Sequence, residues 1–352
     1  MPLKTLSLVL LISACSCFDI EEIVTEQKYL LELIMVTVIV ALVYNYLVGK
    51  EKNKTIVRSF VSQCLPVLCE NFYHIGLNMQ ETDTLEHNYE SVLNNESIVE
   101  EDSANFYRIY LTGRQNVKFC LTSVSTKRRQ DLMMSFFYAL FWPEKDKVIV
   151  ECALPEEWTE KGLLYIIRPK LTKKLLGEYE DLQSLGKKYA VNGLNDKQLS
   201  VFAEHNDTLE SIMDKHIINE LNSLGSSLDS IEMSDCVNNE IHKGNYIKMI
   251  VNLNKAKPED FERLTSLVTV FFALIDKIAK YNPSAKTLEK FKENRRKFNS
   301  KKSQTQKDED AQTKRLEKLR NMTPAERKAY ELKQEKRQKN RGFGKFKVMK
   351  KM

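Results

Sequence analysis

The sequence predicts an α+β cytosolic domain preceded by one transmembrane helix and followed by a long basic helical, coiled-coil tail. Three observations carry this. An apolar run of 19 residues, Leu30–Val48, is long enough to cross a bilayer. Strand and helix patterns then mix between Thr55 and Tyr281 without a regular βαβ beat. The last segment, Lys286–Met352, holds 24 Lys/Arg against 9 Asp/Glu, whereas everything before it holds 30 against 39, so the overall charge of +6 conceals two opposite halves.

Residues 1–17 read as a signal peptide, with Lys4, the compact apolar run Leu6–Ala14 and small residues at Ala14-Cys15-Ser16-Cys17. Roughly ten apolar residues are too few to span a bilayer. A short luminal segment, 18–28, follows. The transmembrane helix is placed at 29–49, where the 19-residue apolar stretch at ~1.5 Å per residue approaches the ~30 Å hydrocarbon core. Asp19, Glu21, Glu22 and Glu26 precede it, while Lys50, Lys52, Lys54 and Arg58 follow it. Positive flanks stay cytosolic, which sets the N-terminus in the lumen and the C-terminus in the cytosol. Tyr29, Tyr44 and Tyr46 fall near the two interfaces.

Cysteines agree with that topology. Cys64, Cys69, Cys120, Cys152 and Cys236 are scattered singly, as reduced thiols buried among hydrophobes, with no C-x-x-C pair for zinc or redox chemistry. The sequons at Asn53, Asn95, Asn206 and Asn321 all follow the span, so they are expected to escape glycosylation.

The cytosolic domain, 50–282, is large enough for a real core. Strands are expected at Phe106–Thr112, Val117–Val124, Lys147–Leu154, Leu163–Arg168 and Tyr246–Leu253, the first two forming a hairpin. Helical spacing marks Ile56–Ile75, Lys127–Phe141, Leu171–Leu185, Thr208–Leu224 and Pro258–Tyr281. The last opens with Pro258, Glu259 and Asp260, suited to a helix N-terminus. Its apolar centre, Leu267–Ile275, is bracketed by Arg263, Asp276 and Lys277 and reads as a buried core helix, too short for a second span.

In the tail, 283–352, apolar spacing thins and charged residues dominate, as in long solvated helices. Thr323-Pro324-Ala325-Glu326 gives a capping box for a final helix to about Asn340, which Gly342 and Gly344 stop. A charge run of this kind is either a solvated arm or a binding surface. One-sided charge and the recurring clusters Arg295-Arg296-Lys297, Lys301-Lys302 and Lys336-Arg337-x-Lys339-x-Arg341 favour binding. Phe343 and Phe346 alternate with cations near the tip, as stacking surfaces for unpaired bases, and Lys345, Lys347, Lys350 and Lys351 extend the basic end. Ribosomal RNA and anionic lipid are the competing polyanions.

No catalytic constellation stands out. His74, His87, His205, His216 and His242 fall in no metalloprotease motif, and no phosphate loop or nucleophile elbow occurs. Asp214 and His216 are two apart on a helix and do not face each other. No cofactor or metal is expected, and the luminal carboxylates lack the cage that calcium requires. Glu32, just inside the luminal end of the span, either reaches the interface, is protonated, or meets a polar group on a partner helix. Asn45 near the cytosolic end suits a similar helix–helix contact.

Taken together, these residues resemble the calumin family, also named coiled-coil domain-containing protein 47. Its members are subunits of the PAT intramembrane chaperone complex of the endoplasmic reticulum. The resemblance lies in Tyr29-Leu-Leu-Glu32-Leu-Ile-Met-Val through Asn45-Tyr46-Leu-Val-Gly49-Lys50, in Tyr107-x-x-Tyr110-x-x-Gly113-Arg114 followed by Lys127-Arg128-Arg129-Gln130-Asp131-Leu132, and in Pro258-Glu-Asp-Phe261 through Ile275-Asp276-Lys277 leading into the basic tail. Order and spacing agree over most of 28–352.

The resemblance implies a non-enzymatic membrane protein that helps multi-spanning clients insert and fold beside a translating ribosome and the Sec translocon. Its span would pair with a small multi-spanning chaperone subunit. Glu32 and Asn45 would then contact the partner helix, and Arg295–Lys302 with Lys336–Lys351 would contact ribosome or translocon. The long acidic luminal segment usual in the family is nearly absent here. The alternative is a membrane-surface or calcium-homeostasis tether whose tail binds anionic lipid.

Overall fold

The computed structural model describes residues 27–77, 80–81, 98–141, 144–155, 161–235, 245–253 and 258–300, with Ser303 and Thr313. The expected signal peptide, most of the luminal segment, and the tail sites Lys301, Lys302, Lys336, Arg337, Lys339, Arg341, Phe343, Lys345, Phe346, Lys347, Lys350 and Lys351 lie outside the described residues, as does the helix expected from Pro324. Two compact units divide after Leu288.

The first element, α1 (Gln27–Asn71), is a single helix of 45 residues. Its first half, through Leu47, exposes nearly every described side chain, and it is the one described helix long and apolar enough to cross a membrane. The helix does not stop where the apolar run ends. It continues with Val57, Phe60, Val61, Cys64, Leu65 and Leu68 buried at i, i+3, i+4, i+7, i+8 and i+11, the stripe of a core-facing helix.

That buried half packs on a large antiparallel sheet. Its strands are β1 (His74–Ile75), β2 (Gln80–Glu81), β3 (Glu100–Ser103), β4 (Phe106–Thr112), β5 (Phe119–Ser125), β6 (Asp146–Ala153), β7 (Leu164–Ile167), β8 (Lys187–Tyr189), β9 (Ser200–Ala203), β10 (Leu228–Ser234) and β11 (Tyr246–Leu253). Their spatial order is β2-β1-β4-β5-β6-β11-β10-β7-β9-β8, with β3 beside β4. Long-range pairing organises the centre: β6 and β11 are in register from Tyr246↔Ala153 to Leu253↔Asp146.

Between the strands come α2 (Leu132–Phe141), α3 (Pro169–Glu178), α4 (Glu180–Leu185), α5 (Asn206–Ile212) and α6 (Lys215–Leu224), and after them α7 (Pro258–Lys280). Alternate strand residues such as Ile109, Cys120, Val150, Met249 and Ile166 enter one main core with α1, α5, α6 and α7. A smaller core on the opposite face, built from Leu163, Tyr165, Ile167, Leu175, Leu182 and Phe202, lies beneath α3 and α4. A mixed α and β domain behind a long apolar helix is therefore what the chain forms.

The α7 centre is core, as its short length implied: Leu267, Val268, Phe271, Phe272, Leu274 and Ile275 are buried in the body. Phe72 at the end of α1 meets Phe272 edge-on at 5.4 Å. Above them Arg114 pairs with Asp276 at 2.8 Å and lies over the Phe272 ring. Two expected helices are each broken in two. The Leu171–Leu185 stretch divides at Tyr179, which is extended and C-caps α3, and Thr208–Leu224 divides at Asp214, whose carboxylate caps α6 through the Ile217 N–H. Asp214 also pairs with Lys277, so it serves helix capping and helix packing, while His216 is exposed.

Candidate functional site at the junction of apolar helix and body

Just past the apolar run, three residues of α1 spaced by four, Asn45, Gly49 and Asn53, turn one face toward the loop that precedes α2. Residues four apart share a helix face, so this is a continuous contact strip. The Asn45 amide donates to the carbonyls of Arg129 and Gln130, both at 3.3 Å. Gly49 touches the same loop: a Cβ there would come within 2.4 Å of the Arg129 carbonyl carbon and oxygen. Only a glycine permits the backbones to approach so closely.

Asn53 is fully buried and uses both ends of its side chain. Its amide donates to the Ala104 carbonyl at 3.0 Å, the Lys127 carbonyl at 3.2 Å and Gln130 Oε1 at 3.1 Å. Its oxygen accepts from Arg129 at 3.0 Å. A glycan on this sequon has no room in the folded chain.

The loop is held from below. Arg129 grips Asp146 at the start of β6 through two 2.7 Å hydrogen bonds, and the Lys127 N–H donates to the same carboxylate at 2.9 Å. Paired guanidinium–carboxylate geometry fixes direction as well as distance. One residue further round α1, on the adjoining face, Lys50 and Lys54 reach Glu101 at 2.7 and 3.3 Å. Burial alone would push the Glu101 carboxyl up, but these two ammonium groups outweigh it and hold it below its ordinary value. The junction thus ties the apolar helix to two strands and a loop, without a free hinge between them.

Of the expected site residues, Asn45 belongs to this junction. Glu32 is exposed on α1, 13 residues or about 20 Å farther along the helix. In the second unit, Arg295 is half-buried and Arg296 and Lys297 are exposed on a helix spanning 285–300. Lys297 pairs with Glu293 at 2.6 Å. Sequence reasoning missed Gly49, Asn53, Arg129 and Asp146. The N-x-x-x-G-x-x-x-N spacing was a legible signal of a contact face, but the loop it contacts is more than 70 residues away.

Two other polar regions are present. An open cleft of about 640 Å³ is lined by Arg128, Lys145, Lys147, Arg168, Lys170 and Asp229, among others. On the outer sheet face, Asp181 accepts from Tyr165 at 3.0 Å and Ser234 at 2.5 Å, and Glu232 accepts from Ser230 at 2.5 Å. Burial pushes the Glu232 carboxyl above its ordinary value and the Tyr165, Tyr179 and Tyr246 phenols upward as well. These perturbed groups do not line that cleft. Among the described residues no cluster of three or more His, Cys, Asp or Glu is arranged to hold a metal, and Cys64, Cys69, Cys120 and Cys152 are free thiols.

Comparison with known proteins bears on what this arrangement serves. The family model described as PAT complex subunit CCDC47 matches residues 28–341. Similar proteins named PAT complex subunit CCDC47 include one from Mus musculus, 25% identical over 320 residues, covering 83% of this chain and 63% of that protein. Another, from Danio rerio, is 24% identical over 317 residues, covering 82% of this chain and 62% of the relative. An uncharacterised Arabidopsis thaliana protein is 23% identical over 293 residues, covering 77% and 55%. The chain spans less than two thirds of the length of these relatives.

Proposed function

The chain belongs to the family of PAT complex subunits named CCDC47, and from that premise we propose that it is a non-enzymatic subunit of an intramembrane chaperone complex at the endoplasmic reticulum. In this reading it works beside the ribosome and the Sec translocon, assisting insertion and folding of multi-spanning clients. The family match from residue 28 to residue 341 carries the proposal, because it includes the apolar helix, the body and most of the basic tail in one order.

The junction gives this role a physical basis. A helix that crosses a membrane and then enters a folded core carries any displacement of the body directly into the bilayer. Glu32, exposed near the far end of the apolar run, is the polar group available to a partner helix, where an unpaired carboxylate in hydrocarbon would be costly. Asn45, whose amide is engaged with the loop, contributes to partner pairing from the other end of the span. The cations from Arg295 to Lys302 and from Lys336 to Lys351 provide phosphate contacts to ribosomal RNA or an acidic face of the translocon.

A photoreactive residue at position 32 in native microsomes tests this. The expected product is an adduct with a small multi-spanning membrane protein. Adducts with lipid alone would refute the pairing.

A further inference from the structure

We propose that α2 is a second membrane contact, a short helix lying in the leaflet nearest the body, with lipid as the partner of its apolar surface. Its sequence, LMMSFFYALF, contains no charged residue. Met133, Phe136, Phe137, Leu140 and Phe141 are 52–67% exposed. Outside the apolar run of α1, the other large hydrophobics that the described residues leave exposed are Tyr73 and Leu77. Apolar surface is therefore concentrated in two places, the span and α2. A contiguous patch of this kind marks an interaction surface on a soluble domain.

Position decides which partner covers it. Asp131 and Leu132, at the start of α2, line the same crevice as Leu42, Val43 and Tyr46 of α1. The Asn45 bonds to Arg129 and Gln130 fix that depth. Given that α1 crosses the bilayer, α2 begins beside the last two turns of the apolar run, where the span leaves the hydrocarbon. Ten residues make about 15 Å of helix, too short to cross but sufficient to lie in an interface.

The termini fit the same placement. The Asp131 carboxylate accepts from the Met134 N–H at 3.0 Å, capping the helix and satisfying one of the first-turn N–H groups that would be costly to leave open in a poorly hydrated setting. Cations flank the apolar stretch, with Lys127 and Arg128 before it and Lys145 and Lys147 after it, whereas Arg129 is taken up by Asp146. The Arg128 guanidinium lies 5.1 Å above the Tyr138 ring and 3.5 Å from Glu144, an arrangement in which the aromatic body meets acyl chains while the charged pair stays at headgroup level. With two points of insertion the body is held at a fixed tilt to the membrane, which a single helix does not ensure.

The test uses the full chain reconstituted in vesicles of phosphatidylcholine and phosphatidylserine. A fluorescent unnatural amino acid is placed at Phe136 or, separately, at Leu140, with Val40 as a span control and exposed Lys174 as an aqueous control. Labels at 136 and 140 should emit to the blue of the Lys174 label and lose intensity when doxyl groups are carried on the lipid acyl chains. Quenching at 40 but not at 136 or 140 would overturn the proposal and leave the reading of α1 standing. Quenching at none of the three would overturn both. Shielding of 136 and 140 in native membranes but not in these vesicles would also overturn it, assigning the surface to a protein partner.

Discussion

Replacing Arg129 with Met should loosen the junction more than any surface change of equal size. The Arg129 side chain is 25% exposed and the Asp146 side chain 2% exposed, and two 2.7 Å bonds join them. Methionine keeps the aliphatic stem but leaves the Asp146 carboxylate buried with the Lys127 N–H as its remaining donor at this site. Breaking a fully buried pair costs about 3–5 kcal/mol, and partial exposure of the arginine lowers this to about 2–4 kcal/mol. In a domain of this size each kcal/mol is worth ~2–4 °C in Tm.

The assay is thermal unfolding of the detergent-solubilised chain, with Arg58→Met as the control. Arg58 and Glu51 form an ion pair whose side chains are 47% and 61% exposed, so its loss should stay within about 0.5 kcal/mol. Adding Asp146→Asn to Arg129→Met should recover part of the loss, because the orphaned charge is gone, with a coupling of about 1–3 kcal/mol. An Arg129→Met loss no larger than that of Arg58→Met, or simple additivity with Asp146→Asn, would refute this role for the pair.

Two glycines predict opposite signs. Gly49→Ala must separate α1 from the Arg129–Gln130 backbone and should cost about 1–3 kcal/mol, whereas Gly177→Ala, with nothing within 4 Å of the new Cβ, should be neutral or gain up to about 1 kcal/mol in the same melt. Glu232→Gln should raise Tm by an amount that grows with pH: burial raises this carboxyl in the folded state, so its contribution is most favourable below the ordinary glutamate range and is lost as pH climbs through the folded value. A Tm gain independent of pH from 4 upward would contradict that sign. Asp214→Ala removes the α6 cap and should cost about 1 kcal/mol, read by denaturant titration.

Much of this fold is written in short-range pattern. The runs that alternate inward apolar residues, as in β4, β5, β6 and β11, appear where period-two spacing placed them. By contrast β10 was hidden because it carries Asp229, Ser230, Glu232 and Ser234, all buried: Asp229 pairs with Arg168 and Ser234 bonds to Asp181, both distant in sequence, while Ser230 and Glu232 bond each other. The helix expected from Lys127 begins only at Leu132, since the Lys127, Arg129 and Gln130 carbonyls accept from α1 and Asp131 caps the first turn. The junction was half visible: its α1 face follows from helical spacing, while the loop it binds depends on a sheet assembled from long-range pairs.

Ribosome co-sedimentation of native membrane complexes tests the central proposal, that the chain holds its complex to the ribosome through its cationic tail. The full chain should sediment with ribosomes at 50 mM salt and lose about 10³–10⁵ in affinity by 200 mM if ~6–10 phosphate contacts are made. Replacing Lys336, Arg337, Lys339 and Arg341 together with Gln should weaken low-salt binding and flatten the salt slope. Unchanged sedimentation at both salt concentrations after that replacement would contradict the account.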